Sequence, residues 1–121
     1  MSRRILVVDD HADNRRILRD LLQSAGFEIL EAMTGEEAVT RAEATVPDLI
    51  LMDIQLPIMD GYEATRRLKA DPNTKDIPII VVTSYALSGD EAKARNSGCD
   101  GYVTKPYSPR ALLAKIKEYL P

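Results

Sequence analysis

Short apolar segments and segments of helical spacing alternate five times along this chain, and this alternation limits the fold more than any other feature. Regular strand–helix alternation is typical of a parallel sheet whose helical crossovers cover both faces. We therefore predict a doubly wound α/β domain with five parallel strands in the order 2-1-3-4-5, which is common for this class. The predicted strands are residues 5–8 (ILVV), 27–30 (FEIL), 49–52 (LILM), 77–83 (IPIIVVT) and 101–104 (GYVT).

Residues that begin and end helices support the five helical segments between and after these strands. Gly26 is placed to end the first helix, from residue 14 onward, and the third helix is predicted over residues 62–70. Proline at the first helical position is favourable, so Ser108-Pro109 indicates the start of the last helix. The second and fourth helices each open with the spacing of a capping box, at Thr34 and Glu37 and at Ser88 and Glu91.

The bulk composition is that of one ordinary compact domain. The 121 residues suit a single domain over positions 1–121, and we expect no output domain. The only cysteine, Cys99, excludes an intramolecular disulfide framework. No apolar run approaches the roughly 18 residues of a membrane helix. A net charge of −3 does not indicate a nucleic-acid surface. We predict a cytoplasmic protein that binds neither membranes nor nucleic acid.

Charged and hydroxyl side chains collect where the predicted strands end. Asp9 and Asp10 follow the first strand, Asp53 follows the third, Thr83 ends the fourth and Lys105 follows the fifth. Ligands of doubly wound sheets bind at the carboxyl ends of the strands, beside the point where the strand order reverses. Three carboxylates on neighbouring strands repel one another and need a counter-charge. Mg²⁺, which prefers oxygen ligands, is the predicted cation, with Mn²⁺ able to replace it.

The residue types at these positions suit phosphoryl transfer. Aspartate can form an acyl phosphate, and a transferring phosphoryl group is stabilised mainly by metal, lysine and hydrogen-bond donors. We therefore interpret Asp53 as a phosphoryl acceptor rather than a turn residue, with Lys105 and Thr83 beside it. His11 follows the acid pair, and we expect it to be a loop residue rather than a metal ligand in its own right. No cluster of histidine and cysteine indicates zinc.

Four motifs, taken together and in order, resemble a known family. ILVVDD, DLILMDIQLPIMDG, IPIIVVTS and YVTKP are similar to the motif set of the receiver domains of two-component response regulators, of the stand-alone type. The resemblance covers nearly the whole chain. It implies a flavodoxin-like (βα)₅ fold in which Asp53 takes a phosphoryl group from a phosphohistidine. The implied donor is a sensor or hybrid histidine kinase, or a phosphotransfer protein.

The resemblance also implies a division of roles among the site residues. Lys105 would pair with the phosphoryl oxygens, and the Lys105-Pro106 peptide bond would be cis. The implied Mg²⁺ ligands are Asp10, Asp53 and the backbone carbonyl of Gln55, with Asp9 acting through a bound water.

A switch and a tuning role are implied for four further positions. Thr83 would turn its hydroxyl toward the phosphoryl group and Tyr102 would then swing inward. Gln55 and Tyr85 occupy positions that tune how fast the acyl phosphate hydrolyses. The implied output is a downstream protein that binds the surface of the fourth helix, fifth strand and fifth helix. A monomer is expected, with a phosphorylation-dependent dimer through the last two helices as the alternative.

Three other classes of protein were weighed against this interpretation. A phosphohydrolase of the haloacid-dehalogenase type also uses a strand-end aspartate, but it needs a second acid two residues later, where this chain has Gln55. A flavin or nucleotide binder would have a glycine-rich phosphate loop, which is absent. A degenerate, unphosphorylated receiver would lack an acid or the lysine. We predict no enzyme activity beyond self-catalysed phosphotransfer and autodephosphorylation.

Overall fold

The computed structural model describes residues 3–83 and 90–120, which form one parallel sheet with helices on both faces. The strand order is β2-β1-β3-β4-β5, as predicted, and every neighbouring pair of strands is parallel. The elements in chain order are β1 (Arg4–Val8), α1 (Ala12–Ser24), β2 (Glu28–Ala32), α2 (Gly35–Thr45), β3 (Leu49–Asp53), α3 (Gly61–Ala70), β4 (Ile79–Thr83), α4 (Asp90–Asn96), β5 (Gly101–Thr104) and α5 (Pro109–Tyr119).

The sheet is covered on both faces because successive side chains of each strand point to opposite sides. One face of β1 and β3 packs with α2 and α3 through Leu6, Ile50, Ala42 and Leu68. The opposite face packs with α1 and α5, whose apolar stripes include Leu22 and Ile116. All residues of β3 and β4 are buried, which explains why these strands are apolar up to their last residue rather than alternating.

Several elements begin or end one or two residues away from their predicted positions. β2 extends to Ala32, beyond residue 30, because its hydrogen-bonded register with β1 continues from Glu28 to that residue. β4 begins only at Ile79, because Ile77 is held in a preceding turn by a bond from its amide to the Thr74 carbonyl. α1 begins at Ala12, two residues earlier than predicted.

The cap predictions have a mixed outcome. The hydroxyls of Thr34 and Ser108 accept bonds from backbone amides three residues later, as predicted, each at 3.0 Å. Glu37 completes its turn differently from a capping box, because its carboxylate accepts from the Met33 amide, at 2.9 Å. The predicted capping box of the fourth helix depends on Ser88, which lies outside the described residues.

One ion pair joins three segments at the amino ends of the strands. The Lys69 ammonium lies 2.7 Å from the Asp100 carboxylate and also donates to the carbonyl oxygens of Lys75 and Ile77. The same Asp100 oxygen accepts from the Ile79 amide, at 2.8 Å. This pair therefore ties the end of α3 to the starts of β4 and β5.

Within the described ranges, no helix combines the length and the apolar character needed to span a bilayer.

Candidate functional site

The acid pair that follows β1 is held in place by the backbone on both sides. Asp9 is almost fully buried, and its amide donates to the Ala32 carbonyl at the end of β2. Its carboxylate accepts from the His11 amide, at 2.8 Å. Its own carbonyl accepts from the Arg15 guanidinium, at 2.8 Å. These contacts fix the direction in which the Asp9 carboxylate points.

Arg15 connects the acid pair to the edge strand. Its side chain is 13% exposed and pairs with Glu31 of β2, at 3.2 Å, while it donates to the Asp9 carbonyl. Arg19, one turn further along α1, pairs with the other oxygen of Glu31. The Arg15 side chain is largely buried, whereas Glu31 is 32% exposed, and the contacts of Arg15 with Glu31 and Asp9 link α1, β2 and the acid loop.

Asp53 lies at the carboxyl end of β3 between a cation and another carboxylate. One of its oxygens accepts from the Gln55 amide at 3.2 Å, and the other lies 3.5 Å from the Lys105 ammonium. That ammonium is also 3.9 Å from the Asp9 carboxylate. The Lys105 amide donates to the Thr83 carbonyl, and the Lys105-Pro106 peptide bond is cis, as predicted. One lysine therefore faces two buried acids.

Burial dominates the electrostatics of Asp53. Loss of water raises the pKa of its carboxyl above the ordinary value. The Lys105 charge and the Gln55 amide act in the opposite direction, while the neighbouring Asp9 charge adds to the rise. Burial and the same two carboxylates also raise the pKa of Tyr107. The positive groups of the protein around the site therefore do not fully compensate the negative charge of its ionised carboxylates.

We expect Asp53→Asn to stabilise the metal-free protein at neutral pH. An acid whose pKa is raised in the folded protein binds more protons in the folded state than in the unfolded state. The free energy of unfolding of wild type therefore falls as the pH rises from the ordinary pKa of 3.8 to the raised value. Above this pH range the folded protein bears the full cost of the buried negative charge. Asparagine removes that charge, and its side-chain oxygen can still accept from the Gln55 amide. The expected gain is about 1–2 kcal/mol at pH 7, within the usual range for single substitutions.

Urea unfolding in EDTA between pH 4 and pH 8 would measure this gain. The exposed Glu43→Gln, on α2, serves as the control for loss of one carboxylate, and we expect it to leave the pH profile unchanged. A metal-free Asp53→Asn protein that is less stable than wild type at pH 7 would contradict the prediction.

Asp10 supplies the observation that tests whether the site suits a cation. Its Oδ1 is buried, and no residue of 3–83 or 90–120 forms a hydrogen bond with it. Ligand atoms of Asp9, Asp10 and His11 lie within 4.8 Å of one another. Carboxylate oxygens of this kind are the ligands that hard divalent cations prefer. The residues present therefore fit a divalent ion.

Thr83 and Tyr102 lie on the two strands beyond Asp53. Thr83 is fully buried at the end of β4, one residue past the register partner of Asp53, and is itself opposite Thr104 of β5. Tyr102 is half-buried and packs with Ile54, Val81 and Ala94, away from the acid pair. Tyr85 lies outside the described residues.

The turn after β3 brings backbone very close to Asp53. The amide of Gly61, the first residue of α3, donates to the Ile54 carbonyl at 3.1 Å. A Cβ atom at Gly61 would lie 2.2 Å from the Asp53 carbonyl oxygen. Ile58, in the same turn, has a left-handed backbone and a fully exposed side chain. Gly61 is thus required by this close approach, while the Asp60 carboxylate caps α3 by accepting from the Glu63 amide, at 2.9 Å.

Sequence reasoning did not identify two of the residues that shape the site. His11 lies in the loop at the head of α1, as expected, and the structure also places it against both acids, 3.0 Å from Asp10 and 3.3 Å from Asp9. Arg15 lies within the predicted first helix, and no motif singles it out. A signal for His11 existed in its position next to the acid pair. No sequence signal links Arg15 to Glu31, since that contact depends on the pairing of β1 with β2.

The fold and the position of the acids define a flavodoxin-like α/β domain with an acidic pocket at its topological switch point. The family model for the response regulator receiver domain matches residues 5–117. The chain belongs to this family of two-component signalling modules, which are not classical enzymes and which typically bind Mg²⁺ at an acidic pocket.

Individual relatives agree with this assignment. The polar-differentiation response regulator DivK of Brucella ovis is 42% identical over 120 residues, which cover 99% of this chain and 98% of that protein. A receiver domain of the sensor histidine kinase PA1611 from Pseudomonas aeruginosa, solved with magnesium in its active-site cleft, has a TM-score of 0.92 at 34% identity, covering 99% and 98% of the two chains. The chemotaxis protein CheY4 of Vibrio cholerae has a TM-score of 0.92 at 28% identity, covering 98% and 99%.

Proposed function

We propose that this chain is a phosphoryl-accepting signalling module in which Asp53 is phosphorylated by a partner histidine kinase or phosphotransfer protein. The observation that carries the proposal is the position of the Asp53 carboxylate, which is buried and only 3.5 Å from the Lys105 ammonium. A second buried acid, Asp9, faces the same lysine at 3.9 Å, and Asp10 follows it in the chain. A structural aspartate at a strand end needs neither the lysine nor the additional acids.

In the proposed reaction, a carboxylate oxygen of Asp53 attacks the phosphorus of the partner's phosphohistidine. The phosphorus–nitrogen bond breaks, its electron pair stays on the imidazole, and that ring takes up a proton while an acyl phosphate forms on Asp53. Lys105 stabilises the phosphoryl oxygens, and Thr83 donates its hydroxyl to them. A divalent cation, held by Asp10, Asp53 and the Gln55 carbonyl with Asp9 through water, would supply further positive charge.

We expect phosphorylation to change the positions of side chains near the site. The added charge draws the Thr83 hydroxyl, and Tyr102 then moves inward from its present half-buried position. This movement would change the surface of α4, β5 and α5, where a downstream protein binds. Gln55 and Tyr85 would control the access of the water that hydrolyses the acyl phosphate.

A groove beside the site supports docking of the phosphoryl donor. It has a volume of about 320 Å³ and lies between α1 and the segment after β5, with Asp9, Asn14, Lys105 and Tyr107 in its walls. Ile17 also lines it and is 62% exposed. An exposed apolar residue beside the charged groups of the site is suited to contact a partner helix that carries the phosphohistidine. We expect the module to act as a monomer unless phosphorylation induces a dimer.

Intact mass spectrometry after incubation with acetyl phosphate and Mg²⁺ tests the proposal. Wild type should gain one phosphoryl group, Asp53→Asn should gain none, and EDTA should prevent the gain. If acetyl phosphate fails, a phosphorylated histidine kinase is supplied as donor. A folded wild-type protein that stays unmodified with both donors would identify a degenerate receiver. Sustained release of phosphate from small phosphomonoesters would instead favour a phosphohydrolase.

A further inference from the structure

The imidazole of His11 lies among the acids of the site rather than in solvent alone. Its Nδ1 atom is 3.0 Å from Oδ1 of Asp10 and 3.3 Å from Oδ1 of Asp9. The ring is not used to cap α1, although His11 occupies the N-cap position, because its side chain forms no cap hydrogen bond. An N-cap is usually a serine, threonine, aspartate or asparagine. Helix initiation therefore does not explain why a histidine occupies this position.

The His11 ring faces two carboxylates at once, because its Nδ1 atom shares a hydrogen bond of 3.3 Å with Oδ1 of Asp9 and also lies beside Oδ1 of Asp10. Oδ1 of Asp10 is buried and forms no hydrogen bond within the described ranges, although Nδ1 is only 3.0 Å away. Adjacent ligand atoms of an octahedral ion with bonds of about 2.1 Å are separated by about 3.0 Å. The separation of the Asp10 oxygen and the His11 nitrogen, which form no hydrogen bond with each other, is therefore compatible with one shared ion.

We propose that His11 is a further ligand of the divalent-cation site and that it shifts the preference of this site from Mg²⁺ toward Mn²⁺ and other transition-metal ions. Mg²⁺ is bound almost entirely through oxygen, whereas an imidazole nitrogen suits transition metals. His11 is 66% exposed, so its ring can turn toward an ion without disturbing the core. The inference rests on the cation site of the proposed function and adds a nitrogen ligand to it.

The sequence makes a direct spectroscopic test possible. His11 is the only histidine of the chain, so an imidazole nitrogen coupled to a bound ion can come from no other residue. Pulsed electron paramagnetic resonance of the Mn²⁺-loaded protein, prepared without a histidine tag, detects such a nitrogen. We expect the ¹⁴N modulation of a bound imidazole in wild type and its loss in His11→Asn, which removes the ring but keeps a good N-cap residue.

Calorimetric titration with Mn²⁺ and with Mg²⁺ provides the second readout. His11→Asn should weaken Mn²⁺ binding by about tenfold or more, in the range expected for altered metal surroundings, and should change Mg²⁺ binding by less than about threefold. Asp10→Asn is the matched control, because it removes an oxygen ligand and should weaken both ions together.

The outcomes separate this inference from the function on which it rests. Loss of the nitrogen signal together with the selective loss of Mn²⁺ affinity supports the inference. If wild type binds both ions without a nitrogen signal and His11→Asn keeps the same preference, the inference is overturned while the cation site stands. If the folded wild type binds neither ion, the inference and the proposed cation site are both overturned.

Discussion

Lys105→Met should slow phosphorylation of Asp53 by about 10²–10³-fold, in line with the loss of one preorganised charge-stabilising donor. The Lys105 ammonium lies 3.5 Å from the Asp53 carboxylate, so it would contact the phosphoryl oxygens that arrive there. Methionine keeps the length and flexibility of the side chain but has no charge. The rate is measured from intact mass during reaction with acetyl phosphate and Mg²⁺.

Metal affinity shows whether the lysine acts on the phosphoryl group or only maintains the site. Because the ammonium also faces Asp9, at 3.9 Å, its removal leaves the carboxylates with more uncompensated charge. Lys105→Met should therefore bind Mg²⁺ at least as tightly as wild type while it reacts more slowly. Lys117→Met, on the exposed side of α5, removes the same charge elsewhere and should react at the wild-type rate. An unchanged rate in Lys105→Met would remove the lysine from the proposed chemistry.

Gly61→Ala is the substitution from which we expect the largest loss of stability, about 2–4 kcal/mol, at the upper end for overpacking. The added Cβ would lie 2.2 Å from the Asp53 carbonyl oxygen and 2.9 Å from the Ile54 Cα atom, both backbone atoms that no side-chain rotation can move away. Alanine is intrinsically preferred over glycine in helices, so the loss must come from this contact. Urea unfolding measures it.

The site should respond as well, because the atom that must move belongs to the proposed phosphoryl acceptor. We expect weaker Mn²⁺ binding in Gly61→Ala by calorimetry, at temperatures where the variant remains folded. Gly26→Ala is the comparison: its Cβ would meet nothing within 4 Å, and its cost is limited to the positive φ of 95°, about 1 kcal/mol. Equal losses in the two variants would show that the close approach to Asp53 is not the determining factor.

The convergence of the principal charged residues followed from the sequence because it depends on topology alone. Once alternation indicates parallel strands, the carboxyl ends must meet at one edge, and Asp9, Asp53 and Lys105 are brought together whatever the details of packing. The strand order 2-1-3-4-5 then makes β1 and β3 neighbours. The structure confirms this order and these contacts.

Other parts of the site depend on side-chain directions that a one-dimensional pattern does not contain. The Arg15–Glu31 pair requires both the rotation of α1 and the register of β2 on β1. The position of the His11 ring depends on how the chain turns into α1, where the helix starts two residues earlier than predicted. The proposed movement of Tyr102 concerns a second conformation of its side chain. The position of Tyr102 three residues before Lys105 does not indicate in which direction that side chain points.

The ends of the strands also divide the charge of the molecule unequally. At the amino ends, Asp100 is balanced by Lys69. At the carboxyl ends, the two buried acids Asp9 and Asp53 share the ammonium of Lys105. The uncompensated acid gives this end of the sheet a local negative potential that reaches beyond the surface for about one Debye length, some 8–10 Å at physiological salt. A cation that comes within this distance is attracted before it contacts any ligand atom.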